Sequence, residues 1–366
     1  MKIGIIKETS DKRVAIVPDL VSRLILEGNE LIAEKGCGAL ALYSDKSYAE
    51  AGASLMNRDE VLKSAEIIVT IAPLEEADYA MLKADTIVIS SYQPYFSLDQ
   101  TQKAATHQLT VFSMDMIPRI TIAQAMDVLS SMASIAGYKA VILAANHLPK
   151  YFPMLTTAAG SIPPAKVLVM GAGVAGLQAI ATAKRLGSVV QAFDTRAAAK
   201  EEVQSLGAKF VEVEGSKDDK TAGGYAVEQT EEYKQKQRER IAEEAVKADV
   251  IITTAQLRGK QAPILITKEM VEQMKDGSVI VDIASSTGGN CELTEDGKTV
   301  VKNGVTIIGN SELAAEVPTH ASQLFSKNVH NFLKIFLKEG KAEIDLENVI
   351  LKSACIASKG EILYGK

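Results

Sequence analysis

The sequence contains little cysteine and no strong excess of charge, and both shortages narrow the possible functions. Its three cysteines, Cys37, Cys291 and Cys355, are odd in number, far apart and without metal-ligand spacing. They suggest reduced thiols in a cytosol, and we predict no metal site. The formal net charge of −6 provides no general attraction to nucleic acid or to anionic lipid. We therefore expect no nucleic-acid partner.

The chain also shows no convincing membrane segment. Only residues 3–6 are apolar before Lys7 and Glu8, which is too short for a signal peptide. Residues 167–183 are nearly all apolar, but their glycine cluster and Gln178 are typical of a buried α/β unit. The 366 residues are 47% hydrophobic and 23% charged, so we expect a soluble protein with two domains.

A glycine-rich loop at residues 171–176 lies in the context that dinucleotide binding requires. An apolar strand pattern at 166–170 precedes it, and a helical pattern at 177–186 follows. Gly171 makes the sharp turn, Gly173 lets the backbone approach a diphosphate, and Gly176 lets helix and strand pack closely. The helix N-terminus adds N–H groups and a partial positive charge. The stretch predicts a cofactor's diphosphate site.

The next predicted strand, 189–193, ends in Asp194, which lies 23 residues after Gly171. An acid near this spacing accepts hydrogen bonds from the adenosine ribose and repels a 2′-phosphate. The sequence therefore favours NAD(H) over NADP(H). Arg196 complicates this prediction, since a nearby arginine can accommodate a 2′-phosphate.

Strand and helix patterns alternate on both sides of this loop. The predicted strands are 3–6, 30–33, 67–71, 86–90, 110–112, 210–213, 250–253, 279–282 and 306–308. Helical patterns at 19–26, 45–51, 98–105, 198–206 and 268–274 separate them. We predict an α/β protein with two Rossmann-like, doubly wound parallel-sheet domains joined by long helices.

Two long helices are predicted to connect these domains. Residues 120–145 have the pattern of an interdomain helix, and a helix from Pro318 should pack back on the first domain. The tail at 343–366 is predicted to form two short strands. The predicted domains are 1–125 completed by 318–366, a connector at 126–164, and a cofactor domain at 165–317.

Polar residues recur at the start of the interdomain helix. The set is Arg119, Gln124, Asp127 and Ser130, of which the last three would share one helical face. Such a stripe can simply be the solvated side of a helix. Beside a cofactor domain it could instead present its groups to a carboxamide or a diphosphate.

The segment 215–247 departs from the α/β rhythm. Its charge-rich second half is typical of a solvated helix. Tyr225 follows Gly223 and Gly224 on an otherwise small and polar loop, and such a ring is typical of a flap that folds over a ligand. We predict a mobile loop at 215–226.

The chain resembles the alanine dehydrogenase and pyridine nucleotide transhydrogenase superfamily over essentially its whole length, in the run VMGAGVAGLQAIATAKRLGSVVQAFD, the N-terminal RVAIVPDLV, and the segments VDIA at 281–284 and GGNC at 288–291. The Arg119, Gln124, Asp127 and Ser130 set and the Gly-Gly-Tyr loop resemble its proton-translocating transhydrogenase branch. There the former residues hold the nicotinamide end of NAD(H), and the tyrosine loop closes over bound nucleotide. The resemblance implies a cofactor set of Gly171, Gly173, Val174, Ala175, Gly176, Asp194, Thr195, Arg196, Gly224, Tyr225, Ala255 and Asp282.

The departures from the family pattern are informative too. Alanine dehydrogenases are expected to carry a lysine and a histidine where this chain has Ile71 and Pro94, and neither residue can titrate. The missing lysine and histidine weaken the resemblance to alanine dehydrogenase. Ser285, Ser286 and Thr287 stand where relatives of both kinds often place an acid, so the floor of the nicotinamide pocket departs from the family pattern.

The resemblance implies an oxidoreductase subunit that transfers hydride directly from NADH to NADP⁺ held on a partner subunit. It further implies a homodimer, a transmembrane proton-channel partner, and a place on the cytoplasmic face of a bacterial inner membrane. Two alternatives stay open: a self-sufficient amino-acid dehydrogenase of the alanine or opine type, and a non-catalytic NAD(H) sensor.

Overall fold

The computed structural model describes residues 1–213, 230–257 and 259–364. Its strands are Lys2–Ile5 (β1), Glu30–Glu34 (β2), Ser54–Met56 (β3), Ile67–Val69 (β4), Ile87–Ser90 (β5), Thr110–Ser113 (β6), Leu155–Thr157 (β7), Gly160–Ile162 (β8), Lys166–Met170 (β9), Val189–Phe193 (β10), Lys209–Phe210 (β11), Val250–Thr253 (β12), Val279–Asp282 (β13), Thr299–Lys302 (β14), Val305–Gly309 (β15), Leu337–Lys338 (β16), Lys341–Ala342 (β17), Cys355–Ser358 (β18) and Glu361–Ile362 (β19).

The α-helices of the same residues are Pro18–Leu26 (α1), Asp45–Glu50 (α2), Arg58–Ser64 (α3), Glu76–Tyr79 (α4), Asp99–Thr106 (α5), Val128–His147 (α6), Val174–Arg185 (α7), Ala199–Ser205 (α8), Glu231–Ala245 (α9), Lys268–Glu272 (α10), Pro318–Phe336 (α11) and Val349–Ala354 (α12).

The chain forms two compact units, one from Met1–Met132 with Ala315–Lys366 and the other from Ala133–Ala314. The first unit is discontinuous because α11 and the tail fold back onto it. Two serines of α11 bind the backbone near the chain start: Val14 N–H donates to Ser322 Oγ at 2.9 Å, and Val17 N–H donates to Ser326 Oγ at 3.1 Å. The unit boundaries fall within α6 and just before α11, so most of the predicted connector 126–164 belongs to the second unit.

The first unit is built on a sheet in the order β19-β18-β6-β5-β4-β1-β2-β3 among the residues described. Strands β1 to β6 pair in parallel, while β18 and β19 add antiparallel strands at one edge. Apolar clusters cover both faces, which is why the central strands are apolar throughout. On one face Phe112, Phe332 and Phe336 pack ring against ring at 5.3 to 5.7 Å between centroids. This contact holds α11 against β6.

Among the described residues, the main sheet of the second unit has the strand order β11-β10-β9-β12-β13-β15-β14. All strand pairs of this sheet are parallel except β14 with β15, and β7 and β8 form a separate antiparallel pair in the same unit. The chain moves from β9 to β10 on one side and later to β12 on the other side of β9. Ligands of open α/β sheets bind at such a switch point, outside the carboxyl ends of the strands. The glycine loop lies at this point.

The predicted helix 120–145 is wrong at its start. Residues Thr121–Met126 form a 3₁₀ helix, Asp127 leaves the helical region with ψ 94°, and α6 begins only at Val128. The Asp127 carboxylate explains the break, because it accepts hydrogen bonds from Ser130 N at 2.9 Å and Ser130 Oγ at 2.6 Å. An acid that binds N–H groups of the first turn favours a new helix start over continuation.

Among the described helices, α6 is long and apolar enough to cross a membrane by length and composition alone. A helix of the protein interior passes the same test, and within the second unit α6 packs closely on α7. A Cβ added at Gly137 would lie 2.0 Å from the Ala175 carbonyl oxygen. The small residue therefore permits the close approach of the two helices.

The tail prediction was incomplete. The two predicted short strands are β18 and β19, but the helix α12 precedes them and was not predicted. Residues 343–348 are outside helix and strand. Strand β18 completes the first sheet by pairing Cys355 with Phe112.

Candidate functional site

The glycine loop after β9 has a different geometry at each of its three glycines. Gly171 has φ 97°, in the left-handed region that favours glycine, and its N–H donates to the Phe193 carbonyl at 2.8 Å. A Cβ at Gly176 would lie 1.8 Å from the Gly171 oxygen, so only glycine allows this contact. A Cβ at Gly173 would meet no described atom within 4 Å. The loop thus has a tight turn, a tight packing point and, between them, an open backbone.

The open backbone leads into the N-terminus of α7. Gly173 is the N-cap residue, and among the described side chains none caps this helix. Gly173 and Val174 are exposed, whereas Ala172 and Gly176 are buried. Exposed N–H groups at a helix N-terminus attract anions, and a diphosphate matches that charge. The predicted residues Val174 and Ala175 form this first turn.

The predicted ribose acid, Asp194, stands beside the loop at the end of β10. Its Oδ2 accepts from Ala172 N at 2.7 Å and from Arg196 Nη2 at 2.9 Å. Its Oδ1 accepts from the Arg196 backbone N at 2.8 Å and from Arg196 Nε at 2.9 Å. The carboxylate therefore ties the glycine loop to the residues after β10. Thr195, which stands between Asp194 and Arg196 in the sequence, is half-buried.

A buried network joins the loops that follow β12 and β13. Asn290 is fully buried; its Oδ1 accepts from Ala255 N at 2.9 Å, and its Nδ2 donates to the carbonyls of Ala255 and Pro263. The predicted residue Ala255 is thereby fixed at the carboxyl end of β12. The sequence reasoning missed the role of Asn290, because nothing local marks an asparagine that bonds across 35 residues.

Asp282 was predicted to bind the cofactor, and the structure gives its carboxylate other partners. The side chain is fully buried. It accepts hydrogen bonds from the N–H groups of Ala284, Asn290 and Cys291 and from Thr294 Oγ1. A Cβ at Gly289 would lie 2.8 Å from its Oδ2. Asp282 therefore organises the loop after β13, and its contact with a cofactor stays a prediction.

In the first unit, the predicted polar set comes together although its residues do not share one helix. Arg119, Gln124, Asp127 and Ser130 line a depression of about 320 Å³ together with Pro118. Gln124 is exposed, and Asp127 and Ser130 are half-buried. The 3₁₀ helix that carries Gln124 is held by α11, since Asn328 and Asn331 donate to the Ala125 carbonyl at 2.9 and 3.1 Å.

A second depression in the first unit, of about 170 Å³, contains a buried acid that sequence reasoning did not single out. Glu8 accepts hydrogen bonds from Ile71 N at 2.7 Å and Ala72 N at 3.3 Å, and lines this space with Thr70 and Arg58. Burial raises the pKa of Glu8 to about 7, although the two N–H donors act in the opposite direction. Ile71 and Pro94, the positions that distinguish alanine dehydrogenases, are both buried.

The remaining predicted positions lie in the segments 215–226 and 285–287. Gly224 and Tyr225, with the loop 215–226, lie outside the described residues. Ser285 donates to Asp296 Oδ1 at 2.6 Å, and Thr287 donates to the Ala284 carbonyl. In residues 1–213, 230–257 and 259–364, no cluster of three His, Cys, Asp or Glu side chains could hold a metal ion.

A mostly parallel sheet with an open glycine loop at its switch point defines an α/β protein of the dinucleotide-binding type. The chain belongs to the alanine dehydrogenase/PNT family: the model of the N-terminal domain matches residues 4–136, and that of the C-terminal domain matches residues 140–365. The family resemblance inferred from the sequence is thereby confirmed.

Two transhydrogenase relatives and one alanine dehydrogenase structure match essentially the whole chain. An NAD(P) transhydrogenase subunit alpha from Rhodospirillum rubrum is 44% identical over 376 residues, covering 100% of this chain and 98% of the relative. The solved transhydrogenase structure from Sinorhizobium meliloti is 40% identical, covers 99% of this chain and 100% of its own, and superposes with a TM-score of 0.91. This similarity places the chain among the oxidoreductase subunits of the family. An L-alanine dehydrogenase structure, 24% identical over 100% of this chain and 97% of its own with a TM-score of 0.82, shares the fold.

Proposed function

We propose that this chain is the NAD(H)-binding catalytic subunit of an NAD(P) transhydrogenase. The main support for the proposal is the glycine loop of the second unit, where the space that a Cβ at Gly173 would fill is open. A diphosphate could occupy that space and accept hydrogen bonds from the first turn of α7. Gly171 and Gly176 hold the loop in this shape by their turn and packing contacts.

The end of β10 supplies the adenosine side of the proposed site. Asp194 places its carboxylate next to Ala172 of the loop, at the position where the ribose diol would bind. Thr195 and Arg196 continue from it, and Ala255 is fixed at the end of the adjacent strand β12. Gly224 and Tyr225 belong to the proposal by family resemblance alone.

The depression lined by Arg119, Gln124, Asp127 and Ser130 supplies the polar groups for the nicotinamide end. Arg119 contributes a fixed positive charge and Gln124 an amide that can both donate and accept. Asp127 and Ser130 bind each other, so the acid is held in place and the loop keeps its shape. None of these groups needs to move a proton, and their task is to position and to exclude water.

When bound, the nicotinamides supply the chemistry: a hydride passes directly from NADH on this chain to NADP⁺ on a partner subunit. The relatives' designation as an alpha subunit supports the existence of such partners. We extend the proposal to a homodimer, a transmembrane subunit through which transfer is coupled to proton translocation, and a peripheral position on the cytoplasmic face of a bacterial inner membrane.

The alternative is an alanine dehydrogenase-like enzyme that acts alone on an amino acid. Such an enzyme needs a proton acceptor at the substrate carbon. Ile71 and Pro94 stand at the positions that would provide the family's lysine and histidine, and both are buried and unable to titrate. Glu8 is ionisable and close to Ile71, but its carboxylate is bound to the backbone N–H groups of residues 71 and 72. The geometry therefore favours the transhydrogenase function.

The test compares the purified chain alone with the chain plus an NADP(H)-binding partner subunit. Alone, it should bind NADH but show negligible NADH oxidation with pyruvate and ammonia. With the partner and NADP⁺, NADPH should form. Robust alanine-dependent reduction of NAD⁺ by the chain alone would refute the proposal, and NADH binding with inactivity toward any partner would indicate a sensor.

A further inference from the structure

The carboxylate of Asp194 already has a hydrogen-bond donor for each of its acceptor positions. A carboxylate has about four lone-pair sites, and Asp194 receives donors from Ala172 N, Arg196 N, Arg196 Nε and Arg196 Nη2. Its side chain is 8% exposed. A ribose diol can therefore bind Asp194 only if some of these four bonds are given up.

The four bonds differ in how easily they can yield. The two backbone bonds, from Ala172 and Arg196, belong to the glycine loop and to the turn after β10, so breaking them would distort the proposed diphosphate site. The other two come from the Arg196 guanidinium, which is 23% exposed and lies at the end of a flexible side chain. Because the guanidinium reaches solvent, water can replace its two bonds to Asp194 without any movement of the backbone. The guanidinium is thus the group that a ribose would displace.

We propose that Arg196 is a specificity-determining residue that competes with the ribose of NADH for Asp194 and binds the 2′-phosphate of NADPH. The inference rests on the proposed function, because it requires that nucleotide binds at this loop. Displacement of the guanidinium by a ribose weakens NADH binding. A 2′-phosphate beside Asp194 is repelled by the carboxylate and attracted by the guanidinium, which forms bidentate hydrogen bonds with phosphate. Arg196 therefore narrows the preference for NADH over NADPH that Asp194 creates.

The experiment measures equilibrium binding of NADH and of NADPH by calorimetry to the wild-type chain, Arg196→Ala and Arg196→Lys. Arg185→Ala is the matched control, since Arg185 is exposed at the last residue of α7, at the far end from the glycine loop. We expect Arg196→Ala to bind NADH about threefold to tenfold more tightly and NADPH about tenfold more weakly. Arg196→Lys should retain part of the NADPH affinity through its charge, and Arg185→Ala should match wild type.

A structure of the NADH complex gives a readout that is independent of affinity. Arg196 Nε and Nη2 should then lie beyond hydrogen-bond distance from Asp194, while the Ala172 and Arg196 backbone bonds remain. Weaker NADH binding by a folded Arg196→Ala variant, or unchanged NADPH affinity, would overturn the inference and leave the proposed function intact. Absence of NADH binding by the wild-type chain would overturn both.

Discussion

Replacing Gly173 by alanine should weaken NADH binding with little change in the stability of the fold. Gly173 has φ −74° and ψ −168°, an extended conformation that alanine adopts freely. Its added Cβ would meet no described atom within 4 Å. Alanine restricts the unfolded chain, which stabilises the fold by about 0.4 to 1 kcal/mol, but it is a poorer N-cap than glycine by a similar amount, so the free energy of unfolding should change little. The same methyl group occupies the space that we assign to the diphosphate.

The expected loss of NADH affinity follows from overpacking that space, which costs about 1 to 3 kcal/mol. This corresponds to an increase in Kd of roughly 5-fold to 150-fold. Denaturant unfolding and equilibrium NADH binding measure the two effects on the same samples. Gly176→Ala is the control for a structural glycine, since its Cβ would lie 1.8 Å from the Gly171 oxygen and should reduce both stability and binding. A Gly173→Ala variant that binds NADH as well as wild type would show that no diphosphate lies on this loop.

Three further predictions address other groups. Asp194→Ala should weaken NADH binding by about 1 to 3 kcal/mol and narrow the preference over NADPH, and unchanged selectivity in equilibrium titrations would exclude it as the ribose acid. Gln124→Asn should keep NADH affinity within a few-fold but slow single-turnover hydride transfer with the partner by on the order of 10²-fold. Arg119→Ala should reduce both the affinity and the rate. A Gln124→Asn rate equal to wild type would show that the polar set at residues 119–130 is only a solvated surface. Glu8, with its pKa raised from 4.5 to about 7 by burial, should contribute roughly 3 kcal/mol of stability that is present below pH 4.5 and lost as pH rises through 7. Urea unfolding of Glu8→Gln between pH 5 and 8 should lack this slope, and an unchanged slope would assign it to other groups.

The central strands of both sheets were predictable because they are buried on two faces and form apolar runs. Val250–Thr253 and Val279–Asp282 have the predicted bounds in the structure. Ser54–Met56 was missed because it is a short edge strand with an exposed serine, and a pattern of three residues has no recognisable period. The capped helix that follows it, Arg58–Ser64, was missed with it.

The glycine loop was predictable because its roles are local, whereas side chains that bond to distant parts of the chain were not. Asn290 and Glu8 are defined by bonds to backbone groups 35 and 63 residues away, which no spacing rule reveals. The break at Asp127 was hidden for a different reason. The apolar spacing of 120–145 continues through it, and the bonds from Ser130 N and Oγ to the Asp127 carboxylate set the start of the helix.

The most direct test of the account follows the hydrogen itself. NADH carrying deuterium at the transferable C4 position is mixed in ordinary water with this chain, its NADP(H)-binding partner subunit and NADP⁺, and the NADPH formed in a single turnover is analysed by mass spectrometry. Direct transfer between two positioned nicotinamides, without a proton-exchanging group, predicts that the NADPH carries the deuterium in full. NADPH without deuterium, or deuterium released to water, would contradict the account.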